Sequence, residues 1–330
     1  MITSALQQVL AILDVGHGNS SVLIDKKGVV VIDTGPGTVL SEFLEQYCVR
    51  RIDVILISHA DQDHLGALAQ LIASREFEIG RIVLNSDASK MSIGWDDLLY
   101  ALNKSHCKGE LTLVVGLLQD TDPGFDRGKV HIEVLGPSRY LAAKGPGSSD
   151  RKGRKIMTNS ISAVIRLSVN EQPLAIIAGD LDDIGLDDMI ESGSKTEAPV
   201  LVFPHHGGKP GTPFIKNYVA KLCEAVQPEI VIFSFARGIH EMPNPEVVAV
   251  IRKSFPNVRI LCTQLSEYCA DALPADDMIH LTPAFARGKE YHCCCGGTII
   301  VQLTYPLEVY PSREAHAAFV KNNAPTALCR

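Results

Sequence analysis

Six consecutive residues constrain this chain more than any other feature. An apolar run at 54–57 leads into His59-Ala60-Asp61-Gln62-Asp63-His64, and a run with leucines at 65, 68 and 71 follows. The pattern reads as a strand, a tight turn and a helix over 65–73. His59, Asp61, Asp63 and His64 all carry metal-ligating groups, and imidazole nitrogen with carboxylate oxygen suits zinc and manganese. In a tight turn, residues two apart aim at one centre while the next pair aims at a second, about 3.5–4 Å away. The plainer alternative is a polar helix start, with Asp63 as a cap and the histidines incidental. Four such groups in six residues weigh against it.

A length of 330 residues admits one large sandwich or two ordinary domains. Hydrophobic residues make up 46% and charged residues 21%, which suits a packed core rather than disorder. The formal charge of −7 argues against a protein that coats nucleic acid through a broad cationic surface, though not against a local basic groove. No apolar run approaches the roughly 20 residues of a membrane span, and the opening MITSALQQVL lacks a basic leader, so a cytoplasmic protein is expected. Nine cysteines, an odd number, read as reduced and mostly buried thiols. Cys293, Cys294 and Cys295, with Cys262 and Cys269, match no C-x-x-C zinc spacing and read as small core side chains.

Strands are expected at 9–13, 21–24, 29–32, 54–57, 81–84, 111–115, 130–135, 160–168, 174–177, 200–203, 230–233, 259–261 and 298–303. Helices are expected at 38–48, 65–73, 95–102, 214–226 and 245–254. The polar stretch at 144–155 reads as a mobile loop. Its Arg151, Lys152, Arg154 and Lys155 either contact phosphates or are simply solvated, the second being the default. Short strands with interleaved helices suggest a sheet-on-sheet core flanked by helices.

Other short motifs stand in order along the chain. They are Asp14-Val15-Gly16-His17-Gly18-Asn19, Ile32-Asp33-Thr34-Gly35, Asn159-Ser160, Ala178-Gly179-Asp180, His205-His206-Gly207-Gly208, Gln227-Pro228 and Pro243-Asn244-Pro245-Glu246. Together with the HxDxDH segment, this set resembles the metallo-β-lactamase-fold hydrolase domain of the ComEC/Rec2 DNA-uptake proteins. The likeness runs from about residue 9 to 305. It implies an αββα sandwich of two mixed sheets flanked by helices, spanning 1–305, with a C-terminal tail at 306–330.

The resemblance also implies two divalent ions, zinc or manganese, held by His59, Asp61, Asp63, His64, Asp180 and His205. Asp63, Asp180 and His206 take the catalytic roles: a carboxylate orients the water or accepts its proton, and a histidine of the 205–206 pair protonates the leaving oxygen. Asp14, His17, Asp33, Asn159 and His240 are candidates to support the ligands or touch substrate. The plainer readings are a helix cap for Asp180, an exposed turn for the histidine pair and simple turn formation for Asp33.

The sequence also departs from the family pattern. Asp61 replaces a histidine of the wider superfamily, which hardens the donor set and favours manganese. His17 and Asn19 replace glutamine and aspartate. The separate histidine that completes the first metal has no clear equivalent. Asn159 and His131 are the candidates to stand in, and one site is left short of a ligand.

The implied activity is phosphodiester cleavage, with nucleic acid as substrate and no membrane channel in this chain. A stand-alone role such as defence against foreign DNA follows more naturally than import. A small-molecule hydrolase (lactone, thioester or cyclic nucleotide) is the rival, since a fold does not fix a substrate. A metal-poor binding subunit is the third reading, and a protein partner or a homo-oligomer stays open.

Overall fold

A computed structural model describes residues 8–122, 124–274, 278–324 and 326–330, and its strands form one eight-stranded and one seven-stranded sheet. The first sheet begins as an antiparallel meander of β1 (Val9–Ile12), β2 (Ser20–Asp25) and β3 (Gly28–Thr34). Helix α1 (Val39–Gln46) then crosses to β4 (Arg51–Ile57), which runs parallel to β3. Two short helices, α2 (Gln62–Leu65) and α3 (Leu68–Ser74), lead to β5 (Glu78–Leu84). Helix α4 (Ile93–Cys107) leads on to β6 (Thr112–Val115), and both strands extend the parallel part.

The second sheet repeats this wiring. Strands β7 (Asp120–Thr121) and β8 (Val130–Gly136) precede α5 (Arg139–Lys144), and β9 (Val164–Val169) and β10 (Gln172–Ile177) complete an antiparallel run. Helices α6 (Asp183–Glu191), α7 (Ile215–Val226) and α8 (Pro245–Ser254) then alternate with β11 (Val200–Val202), β12 (Ile230–Phe233) and β13 (Arg259–Cys262), each parallel to the last. After α9 (Arg287–Glu290), β14 (Ile299–Gln302) returns to the first sheet against β1. The chain closes with β15 (Val309–Tyr310) and α10 (Arg313–Asn323).

Three apolar layers hold these elements. Leu10, Ile12 and Ile32 of one sheet meet Ile165 and Ile177 of the other in the central layer. Leu40, Phe43 and Leu44 of α1 cover the outer face of the first sheet, and Tyr218, Val219 and Leu222 of α7 that of the second. Each such side chain contributes about 1.5–3 kcal/mol by leaving water. The expected αββα sandwich of two mixed sheets is what the chain forms. Among the described residues no helix is long and apolar enough to cross a membrane.

Three local expectations change. The helix expected at 65–73 is split into α2 and α3. Between them a side chain at Gly66 would meet the Gln62 carbonyl at 2.5 Å. The strand expected from 160 starts at 164, because Asn159–Ile161 form a 3-10 turn in which the Ser160 hydroxyl accepts Met157 N–H and donates to Asp182. The loop at 144–155 is pinned rather than free: Ser149 bridges Lys155, Arg154 pairs with Asp150 and Asp187, and Lys152 pairs with Asp187 and Glu191. Past residue 306, β15 pairs with β14, and α10 buries His316, Phe319 and Val320 against the second sheet's outer layer.

Candidate metal centre

The parallel strands of both sheets end at one place. Strand β3 ends in Asp33, β4 in Ser58 and His59, β10 in Gly179 and Asp180, and β11 in the His205-His206 turn. Strand ends of this kind leave backbone and side chains free to face a ligand while the sheets stay rigid. The segment 59–64 is strapped by its neighbours: Asn19 N–H donates to Asp63 O at 3.0 Å, Gly35 N–H to His64 O at 3.1 Å, and Ala67 N–H to Gly35 O at 2.7 Å. The glycine-bearing motifs around 14–19 and 32–35 thus act by holding the ligand turn.

Asp33 is fully buried and works through its neighbours. Its carboxylate accepts Ser58 N–H at 2.7 Å and the Ser58 hydroxyl at 2.8 Å, and it lies 2.7 Å from His64 Nδ1. That bond puts the His64 proton on Nδ1 and turns Nε2, with its lone pair, to Asp180 Oδ1 at 3.1 Å. His206 is set the same way: Nδ1 donates to the Ser234 carbonyl at 2.8 Å, and Nε2 lies 3.1 Å from Asp63 Oδ2 and 3.7 Å from Asp180 Oδ1. His59 Nδ1 sits beside the hydroxyls of Ser58 (3.0 Å) and Ser162 (3.2 Å). Its Nε2 faces Asp61 Oδ2 at 3.5 Å and Asp180 Oδ2 at 3.8 Å.

The backbone accepts strain to achieve this. His205 and His206 both lie in the left-handed region, at φ 52° and 56°, which costs on the order of 1–3 kcal/mol per residue. Gly207 follows at φ 87°, where a Cβ would strike the Phe233 ring at 2.5 Å. Gly179, at φ 52°, leaves no room either, since a Cβ would meet Ser162 Oγ at 2.4 Å.

Ligand atoms of Asp63, His64, Asp180 and His206 all lie within 4.8 Å of one another. His59 Nε2, His64 Nε2, His205 Nε2 and Asp180 Oδ1 are buried without a hydrogen-bond partner. Lone pairs face one another here, an arrangement that calls for a cation, and the donor set fits a divalent ion. Charge behaves accordingly. Burial alone would lower the His64 pKa, but Asp180 and Asp33 outweigh it and hold it well above the usual value. Burial alone would raise the Asp180 carboxyl, but His64, His205 and His206 hold it well below its usual range. A proton on His64 stands where an ion would otherwise stand.

The remaining candidates spread around this centre. His205 Nδ1 lies 3.5 Å from Asp180 Oδ2. His17 sits at the rim, its Nε2 3.7 Å from Asp63 and its ring 4.7 Å from His206 and 4.9 Å from the exposed His240. Burial and His206 lower the His17 pKa to about 4, so it is neutral at ordinary pH. Asp14 serves elsewhere, accepting from Gly16 N–H, Gly288 N–H and the Gln264 amide. Asn159 opens the 3-10 turn, and it is Ser162, absent from the sequence-based candidates, that touches His59 and takes Asp180 N–H at 2.9 Å. His131 is committed to Asp126 at 3.0 Å. Ser58, Ser162, Ser234 and Lys90, whose ammonium bonds Asp61, were missed because single serines and lysines carry no spacing signal.

Residues 13–153 match the family model described as the metallo-β-lactamase superfamily. The two mixed sheets flanked by helices are consistent with the metallo-β-lactamase fold. The matched stretch holds the 59–64 turn and stops before Asp180 and the 205–206 pair. No curated protein matches the chain. Among solved structures, a metallo hydrolase from the archaeon Ignicoccus hospitalis is 12% identical, with a TM-score of 0.45 over 77% of this chain and 95% of its own. A diphosphatase of the PhnP family is 13% identical (TM-score 0.44, 77% and 93% covered), and the short form of human tRNase Z is 14% identical (0.40, 68% and 93%). The donors of this chain come together where the two sheets' parallel strands end.

Proposed function

We propose that this protein is a metal-dependent hydrolase that cleaves phosphodiesters, with nucleic acid as its substrate and a cytoplasmic role such as defence against foreign DNA. The observation that carries the reading is the four-residue group of Asp63, His64, Asp180 and His206, with lone pairs turned inward by Asp33 and Ser234. A divalent ion bound there would supply an acidified water and positive charge at the scissile group. Ser58 and Ser162 are the nearby hydroxyls, and both are spoken for: one donates to Asp33, the other takes Asp180 N–H. Both are used in holding the centre, and the reading takes water acidified by the ion as the nucleophile.

Asp63 and Asp180, held ionised by the histidines around them, orient that water and take its proton. His206 does not suit the leaving-group role, because its Nδ1 proton is given to Ser234 and its Nε2 faces the carboxylates. His240 stands exposed at the rim beside the neutral His17, where it is the histidine left to meet a leaving oxygen. Support for phosphodiesters comes from the motif set and from the hard, carboxylate-rich donors. Of the basic loop, Lys152 and Arg154 are already paired with acids, which leaves the exposed Arg151 and Lys155 as its candidates for phosphate contact.

A second reading rests on one observation. A groove of about 900 Å³ opens beside His17, lined by Pro36, Ile239, Arg287 and Tyr291, a size that suits a nucleotide-sized ligand such as a cyclic nucleotide. The test is cleavage of labelled single- and double-stranded DNA and RNA, and of small phosphodiesters, with manganese, magnesium or zinc, beside Asp63→Ala. Metal-dependent cutting of polymer that vanishes in the variant supports the first reading. Cutting of small esters alone supports the second, and no cleavage of any phosphodiester sinks both.

A further inference from the structure

The groove of about 900 Å³ is joined to the centre by its own residues. His17 lines it, and His17 Nε2 lies 3.7 Å from Asp63 Oδ2, so the groove opens where the ligands gather. Its walls hang on groups that also hold the ligand turns. The loop at 236–239 follows Ser234, whose carbonyl faces His206 Nδ1 and whose hydroxyl donates to Gly18 O at 2.8 Å. Helix α9 is tied to Asp14: Arg287 N–H donates to the Asp14 carbonyl and Gly288 N–H to its carboxylate, both at 2.8 Å. A Cβ at Gly288 would lie 2.8 Å from that carboxylate, so the approach needs glycine. Gln264 joins the two walls, since its amide donates to Asp14 at 2.8 Å and its carbonyl accepts Arg237 N–H at 2.9 Å.

Inside the groove the cations are committed and an aromatic ring is open. The Arg237 guanidinium donates to the carbonyls of Leu265, Ala270 and Asp271. Arg287 pairs with Glu290 at 2.7 Å, donates to the Tyr291 hydroxyl at 3.0 Å and lies 5.3 Å from the centre of that ring. The grip fixes Tyr291, yet 55% of the residue stays exposed, and Ile239 of the other wall is 40% exposed. Committed cations and a fixed, open ring suit a flat neutral ring better than a row of phosphates.

We propose that the groove is a nucleoside subsite, in which an unpaired base lies on Tyr291 and the phosphate it carries reaches the metal centre past His17. The inference rests on the phosphodiesterase reading above and adds which part of the substrate is recognised. A base stacked within a duplex has no free face, so the base comes from a single strand or a free nucleotide.

The experiment compares two esters that release the same leaving group. Thymidine 5′-(p-nitrophenyl phosphate) carries a nucleoside, and methyl p-nitrophenyl phosphate carries none. Manganese-loaded wild type, Tyr291→Ala, Tyr291→Phe and Tyr100→Ala are assayed for kcat and KM on both; Tyr100 is exposed on α4, outside the groove. Wild type should prefer the nucleoside ester on the order of tenfold in kcat/KM, mostly through KM. Tyr291→Ala should abolish that preference, and Tyr291→Phe and Tyr100→Ala should keep it. No preference in wild type, or one that survives Tyr291→Ala, would overturn the proposal and leave the phosphodiesterase reading standing. Cleavage of neither ester by wild type would overturn both. A single-stranded oligonucleotide and its duplex then name the source of the base. A Tyr291→Ala loss on the single strand places it in a strand, and a loss on the ester alone places it in a free nucleotide. An equal loss on the duplex would overturn the proposal.

Discussion

The two halves of the molecule use the same wiring and reach the metal by different means. In each, an antiparallel meander is followed by parallel strands, and the site residues leave the last meander strand and the next parallel one: Asp33 on β3 and the ligand turn after β4 in the first half, Asp180 after β10 and the histidine pair after β11 in the second. The first half concentrates its donors in one turn, 59–64, held by backbone hydrogen bonds and by the Asp33 carboxylate. The second half supplies Asp180 and His206 singly, on strained or glycine-dependent backbone, held by packing against Phe233 and by the Ser234 carbonyl. Hydrogen bonding fixes one side of the centre, and packing joined to hydrogen bonding fixes the other.

The largest effect should come from Asp180, the residue both halves share. Asp180→Ala removes the carboxylate that faces His59, His64, His205 and His206. Activity with metal should fall on the order of a thousandfold or more, about 4 kcal/mol, and retained ion should fall with it in elemental analysis. Full activity in this variant would mean that the second half is dispensable and the comparison is wrong.

Phe233 and Phe43 separate packing from hydrogen bonding. Both are fully buried, and truncation to alanine should cost each about 3 kcal/mol in denaturant unfolding. Phe233 touches the space a Gly207 side chain would fill and its ring lies 5.2 Å from Phe203, so Phe233→Ala should also weaken metal retention. Phe43 lies under α1 in the outer layer of the first sheet, so Phe43→Ala should leave metal affinity near wild type at temperatures where it is folded. Equal losses of metal in the two variants would erase the distinction.

Asp33→Asn tests the hydrogen-bonded side. The amide keeps the size but loses the charge that holds the His64 Nδ1 proton, and metal affinity should drop about 10–100-fold. Ser162→Ala, which leaves Asp180 N–H and His59 Nδ1 short of one partner each, should cost less. Titration of the chelator-stripped variants with manganese gives both numbers.

How much of this was legible follows the same division. The 59–64 turn announces itself because four donors crowd into six residues, and the sandwich follows from runs of β-branched residues at strand length. Asp180 and the 205–206 pair were legible only through the resemblance, since a lone aspartate or a histidine pair has no period. Which histidine of the pair faces the metals was not legible: two successive left-handed residues, which no propensity favours, bring His206 into the four-residue group. Ser58, Ser162 and Lys90 act through contacts 25 to 103 residues away in sequence, where local pattern is silent. The pinned loop at 144–155 was misread for a related reason, because its charges look solvated until Asp187 arrives from α6.

The smallest effect concerns a group found in the second half alone, the packed C-terminal helix. His316 of α10 is buried with Nε2 3.2 Å from Cys295 Sγ, and burial, with Arg259 and His280 adding to it, lowers its pKa to about 3. In the unfolded chain the same imidazole titrates near 6.5. Below that pH the unfolded state binds a proton that the folded state refuses, so stability is flat above about pH 6.5 and falls as the pH drops towards the folded value. The slope from this one group is about 1.4 kcal/mol per pH unit, and a drop from pH 6 to 5 should loosen α10 by roughly that amount. His316→Gln should flatten the dependence across that interval, measured by denaturant unfolding at each pH with metal absent. A wild type and variant that lose stability in parallel would show that acid acts elsewhere. The centre's own histidines would then be the place to look, and the two halves would differ less than their packing suggests.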